Sequence, residues 1–91
     1  MNLYLISQDA NDRYDTYDSA VVCCGTEEEA RMIHPAGDQW HGDGIATEEA
    51  WDGKERNYGS WCDAEYVKVE LIGVAAPHIK RGVVIASFNA G

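Results

Sequence analysis

A chain of 91 residues is sized for one domain with one modest core, and its 45% hydrophobic content excludes a wholly disordered polymer. No apolar run approaches the ~20 residues of a membrane helix, and the opening MNLYLISQDAND has neither a basic start nor a long apolar stretch, so a soluble, cytosolic protein without a signal peptide is expected. The formal charge of −9 sets the chain against direct contact with DNA or RNA.

That charge is unevenly placed. Eleven of the 16 acids lie between residues 9 and 49, against only Arg13 and Arg31, while the other five acids and five bases cancel. One contiguous acidic stretch points to a basic partner surface more strongly than uniform acidity would.

In chain order, NLYLISQ (2–8) reads as a strand. Leu3 and Leu5 share one face, Tyr4 and Ile6 the other, so both faces are expected to be covered. QDANDRYDTYDSA follows as a loop rich in Asp and Asn, residues that compete for backbone groups and favour turns. SAVVCC (19–24) is a second strand, with Cys23 and Cys24 pointing to opposite faces as small buried hydrophobes, and Gly25 breaks it. Three cysteines make a poor disulfide framework, and Cys62, near a loop, is the one placed to cross-link two chains.

Thr26 and Glu29 have the spacing of a capping box. Glu27 and Glu28 fill the first turn, and Glu27 and Arg31 form an i,i+4 pair. A helix of about two turns is expected, burying Ala30, Ile33 and His34 and ended by Pro35. His34 is read as its C-terminal cap. Residues 36–60 form a long loop holding Gly37, Gly42, Gly44, Gly53 and Gly59 with Trp40 and Trp51, and one helical turn could start at Thr47. YVKVELIG (66–73) alternates, with Val67, Val69 and Leu71 inward and Lys68 and Glu70 in water, and VVIASF (83–88) is the last strand. The expected fold is a single α+β domain over 1–91. It has a four-stranded, mainly antiparallel sheet, one short helix on one face, a long Gly/Trp loop, and a hairpin joining 67–72 to 83–88.

Several chemistries are excluded by spacing. The segment from Asp9 starts like a calcium loop, but Arg13 and Tyr14 stand at positions five and six, and Ala20 at twelve. His34, His41, His78 and Cys62 lack close ligand spacing, no nucleophile or phosphate-binding motif appears, and Asp43 beside His41 stands alone. No catalysis, metal or cofactor is expected.

Asp9, Asp12, Asp15 and Asp18 recur every third residue. In an extended polyproline-like chain or a tight 3₁₀ turn this period lines one edge at ~9 Å or ~6 Å intervals. Tyr14 and Tyr17 repeat at the same interval as amphipathic anchors. With Glu27, Glu28, Asp38, Asp43, Glu48 and Glu49, and with Trp40 and Trp51 as further anchors, these residues form the candidate partner-binding set. A solubilising acidic loop accounts for the same charge.

NLYLISQ, YDTYDSAVV, EEARMIHP, VKVELIG and ASFNAG together resemble a family of small proteins carried by bacteriophages and prophages. The likeness spans both ends of the chain and thins across residues 36–60. Some small acidic phage proteins of this size resemble anti-CRISPR inhibitors, which block a type I surveillance complex by binding a subunit that would otherwise grip DNA. The resemblance implies the cytoplasm of a bacterial host, a Cascade-type subunit as partner and no enzymatic activity, and it transfers no site residue. Two alternatives stand beside it. One is a phage protein that sequesters a nucleotide defence signal through Lys54, Arg56, Lys80 and Arg81. The other is a structural or self-assembling phage protein, for which a homodimer is open.

Overall fold

Two strands at the centre organise the molecule. The structure, a computed structural model, describes residues 1–36, 51–55 and 59–89. Strand β1 (Asn2–Ser7) pairs antiparallel with β2 (Thr16–Cys24), setting Tyr4 opposite Val22 and Ile6 opposite Ala20. After α1 (Glu27–Arg31) and a 3₁₀ turn (Ala64–Tyr66), β3 (Lys68–Val74) adds to the free side of β1 and β4 (Gly82–Asn89) to that of β2, both antiparallel. The sheet order is therefore β3-β1-β2-β4, an α+β fold with one short α-helix among the described residues.

The expected hairpin between the last two strands is corrected by this order, because β3 and β4 occupy opposite edges. Crossing β1 and β2 means bridging three strand spacings of ~4.8 Å, roughly 14 Å. Residues 75–81 can span roughly 23 Å when extended, so the connection reaches. On its way it closes over Cys23, whose Sγ lies 3.9 Å from the Ile79 carbonyl. The apolar β1 and β2 take the central positions. The charged Lys68 and Glu70 go to an edge, where charged side chains limit unwanted strand pairing.

One sheet face carries the core. Tyr4, Ile6, Ala20, Val22 and Cys24 pack beneath Ala30, Ile33, Trp51, Trp61, Ala64 and Val67. Cys23 and Cys24 point to opposite faces and are both buried. The expectation that both faces of β1 are covered is not met. Leu3 and Leu5 are only half-buried, and Leu71, at 61% exposure, does not join Val67 and Val69 inside.

Thr26 caps α1 as its sequence requires. Its backbone is extended and its Oγ1 accepts the Glu29 N–H at 3.2 Å. The Glu29 carboxylate turns instead to Arg81, with Oε2 3.4 Å from Nε. The helix is shorter than the two turns expected, closing at Met32 after five residues. Arg31 approaches Glu27 at 3.9 Å and also donates to the Ala64 and Val67 carbonyls, roping the helix to the chain that enters β3.

His34 is buried, as the stripe of apolar positions implies, but it does not cap the helix. Its Nδ1 accepts the Ala36 N–H at 3.0 Å, and its Nε2 meets Glu55 Oε2 at 2.8 Å. A ring nitrogen engaged as an acceptor cannot also donate to the last helical carbonyls. Trp51 stands edge-on to this ring at 5.2 Å, is 2% exposed, and donates its Nε1–H to the Lys54 carbonyl. It belongs to the core and is corrected as a partner anchor.

Candidate functional site

The acidic segment is held by two amides. Gln8, 8% exposed, donates from Nε2 to the carbonyls of Asn11 (2.8 Å) and Tyr17 (2.9 Å), and its Oε1 accepts the Asn11 N–H at 2.7 Å. Asn11 in turn donates from Nδ2 to the carbonyls of Gly59 (3.1 Å) and Trp61 (2.8 Å). Thr16 Oγ1 donates to the Arg13 carbonyl at 2.6 Å. Asp15 adopts φ 59, a left-handed conformation that Asp tolerates better than most residues, and its N–H donates to the Asn89 carbonyl at 2.6 Å. These bonds bend residues 9–15 back over the end of the sheet.

That path breaks the single edge expected from the period of three. Asp9, Asp12 and Asp18 line one recess of about 410 Å³ with Gln8, Asn11, Thr16, Ser87, Phe88 and Asn89. Asp15 lines another, of about 370 Å³, with Tyr17, Ala36, Ser60 and Phe88. Phe88, half exposed, is the ridge between them. The comb therefore divides three and one. Asp18 reaches the first recess because β2 begins at Thr16, earlier than expected, and the pairing with β4 slips between Tyr17 and Ser19. Asp18 is the extra residue of that bulge, which re-aims its side chain.

The two tyrosines also part. Tyr14 is 77% exposed at the loop tip. Tyr17 is half-buried, packs on the core, and lies 4.8 Å from the Phe88 ring at a 55° tilt.

Some of the negative charge is answered within the fold. Lys68 Nζ lies 3.0 Å from Asp9 Oδ2, and its hydrogen bond and charge hold the Asp9 carboxyl below its ordinary value. Glu27 faces Arg31. Among the described residues no base lies against Asp12, Asp18 or Glu28, so these three of the predicted acids are uncompensated. Asp38, Trp40, Asp43, Glu48 and Glu49, like Thr47, His41 and Arg56, lie outside the described residues.

Sequence reasoning missed Gln8, Asn11, Phe88 and Lys68. An amide three residues from a second amide, at a strand end before a loop, was the available signal for Gln8 and Asn11. Nothing local marks Phe88 or Lys68, which reach the site through strand pairing alone.

Among the bases of the nucleotide alternative, Arg81 is paired with Glu29, and Lys54 and Lys80 are exposed on separate segments. Cys62, at 5% exposure, is not available for cross-linking. Among the described residues no three His, Cys, Asp or Glu side chains gather as metal ligands, and no helix is long and apolar enough to cross a membrane. Comparison with protein-family models, with curated proteins and with solved structures found no match to this chain.

Proposed function

We propose that this protein is a phage-encoded inhibitor, similar to anti-CRISPR proteins, that occupies a basic nucleic-acid-binding surface of a host defence complex and blocks DNA from it. A subunit of a Cascade-type complex, working in the host cytoplasm, is the partner that fits. The observation that carries the reading is the recess at the end of the sheet. Asp12 and Asp18 stand there without a basic partner among the described residues, on backbone fixed by Gln8 and Asn11, beside the exposed ring of Phe88. Carboxylates steer encounter with a Lys/Arg-lined groove and set orientation, while exposed aromatic rings supply the desolvated contact that gives affinity. Tyr14 and Phe88 are the rings placed for that role.

The test is competition with DNA for purified type I surveillance complexes at two salt concentrations. The native protein is expected to displace DNA, less well as salt rises and screens the contact. Asp12→Asn with Asp18→Asn removes both charges with little change in shape. It is expected to weaken binding by about tenfold or more, equivalent to ~1.4 kcal/mol, with thermal stability unchanged. Full inhibition by that double variant would show that another surface does the binding.

A further inference from the structure

We infer that the second recess at the end of the sheet is a socket for an arginine side chain of the partner protein, an assignment that rests on the basic partner proposed above. Its volume is about 370 Å³, and Asp15, Tyr17, Ala36, Ser60 and Phe88 line it. Strand pairing sets Tyr17 opposite Phe88, so the two rings project to the same side, 4.8 Å apart at a 55° tilt. Phe88 is 49% exposed and Tyr17 half-buried, which leaves ring surface uncovered.

The backbone of each lining residue is tied down. The Tyr17 N–H donates to the Ser60 carbonyl at 2.8 Å, and Asn11 holds the carbonyls of Gly59 and Trp61 on either side of Ser60. The Asp15 N–H donates to the Asn89 carbonyl, the Ala36 N–H donates to His34 Nδ1, and Phe88 sits within β4. A site whose walls are already fixed loses little freedom when it is filled. One group in it is unsatisfied. Ser60 Oγ is shielded from water and has no hydrogen-bond partner, and a turn about its one side-chain torsion is enough to offer it to a donor in the recess.

Chemistry selects the occupant. Asp15, an exposed residue, brings negative charge to the recess, and Asp12 and Asp18 stand across the Phe88 ridge in a chain that carries −9, so a cation is favoured over an anion or a neutral group. Two aromatic rings favour a flat cation over a compact one. A guanidinium stacks on a ring face and keeps its five N–H donors in its own plane, free for a carboxylate and a hydroxyl. A lysine ammonium brings the same charge as a strongly hydrated point, which gives up more water to meet the rings. The methylene stem of an arginine also covers apolar surface, and Phe88 offers it here.

Proton–nitrogen NMR titration of the native chain at low salt, with N-acetyl-arginine amide as the probe and N-acetyl-lysine amide as its control, reads the site directly. The arginine probe is expected to bind with a dissociation constant of about 1–10 mM and to move the amide signals of Asp15, Tyr17, Ser60 and Phe88. The lysine probe carries the same charge and is expected to bind about fivefold more weakly. Phe88→Leu removes a half-exposed ring, and is expected to weaken the arginine probe about fivefold with an unchanged circular dichroism spectrum. Ser60→Ala deletes a hydroxyl that has no partner in the fold, so it is expected to weaken the probe while thermal stability holds or rises. The titration contains no host protein and is read apart from DNA competition. Probe binding by a chain that does not displace DNA keeps this site and overturns the inhibitor reading. An arginine probe that moves none of these signals at about 50 mM, a lysine probe that binds as well, or a Phe88→Leu or Ser60→Ala chain that binds the arginine probe like the native one overturns the inference.

Discussion

His34 Nε2 and Glu55 Oε2 lie 2.8 Å apart with the two side chains 0% and 8% exposed, joining the end of the helical segment to a residue 21 positions on. The Ala36 N–H occupies Nδ1, so the ring proton sits on Nε2 and donates to the carboxylate. Trp51 covers the ring, and the Glu55 N–H is itself held by Asp63 Oδ1 at 2.7 Å.

This pair is expected to stabilise the fold measurably. His34→Phe fills most of the ring volume but strips Glu55 of a buried donor, which costs about 1.5–3 kcal/mol. Glu55→Gln keeps an acceptor for the ring proton and is expected to lose less. Urea unfolding of both variants checks the order. A His34→Phe protein as stable as the native one would show that the contact is not worth its burial.

Asp9 and Lys68 make a prediction about acid. The Asp9 carboxyl is held below its ordinary 3.8, first by its hydrogen bond to Lys68 and then by the lysine charge. A depressed folded value means the pair's contribution is present above pH 3.8 and is lost as pH falls through the folded midpoint. Both groups are exposed, so the effect is small and screened by salt. Carboxyl NMR titration is expected to place the native midpoint below 3.8 and to return it there in Lys68→Ala. An Asp9 midpoint indifferent to that substitution would mean the ion pair does not persist in solution.

Cys62 predicts the alkaline limb. Burial first, then the carboxylates of Asp63, Glu55 and Asp9, push its thiol from 9.0 up to about 12. A raised folded value means that its contribution is complete below pH 9 and declines as pH rises toward 12. Cys24 is raised as well, by burial first. A thiol reagent at pH 8 is therefore expected to label Cys62 in the native protein about a thousandfold more slowly than in the unfolded chain, since the thiolate is the reactive form. Equal rates before and after denaturation would place these thiols in reach of solvent.

Local patterns were legible wherever the residues concerned are neighbours in the chain. The Thr26 cap, the Glu27–Arg31 pair, the opposed side chains of Cys23 and Cys24, and the strand character of all four apolar runs each follow from spacing within a few residues. The path of the aspartates was not legible. Their period of three suggested a straight edge, but Asn11 bonds carbonyls at Gly59 and Trp61, 48 and 50 positions away, and a bulge moves Asp18. Both depend on parts of the chain that no local pattern names.

Composition and periodicity alone determined the α+β class and the gathering of negative charge toward one part of the chain, because hydrophobic burial and backbone pairing act on patterns of two to four residues. Tertiary structure alone decided the rest. It sent β3 and β4 to opposite edges, paired Asp9 with Lys68, buried His34 against Glu55, and left Asp12 and Asp18 beside Phe88. Strand order and long-range hydrogen bonds are settled by how elements pack, and packing joins residues whose separation in the chain carries no signal of their meeting.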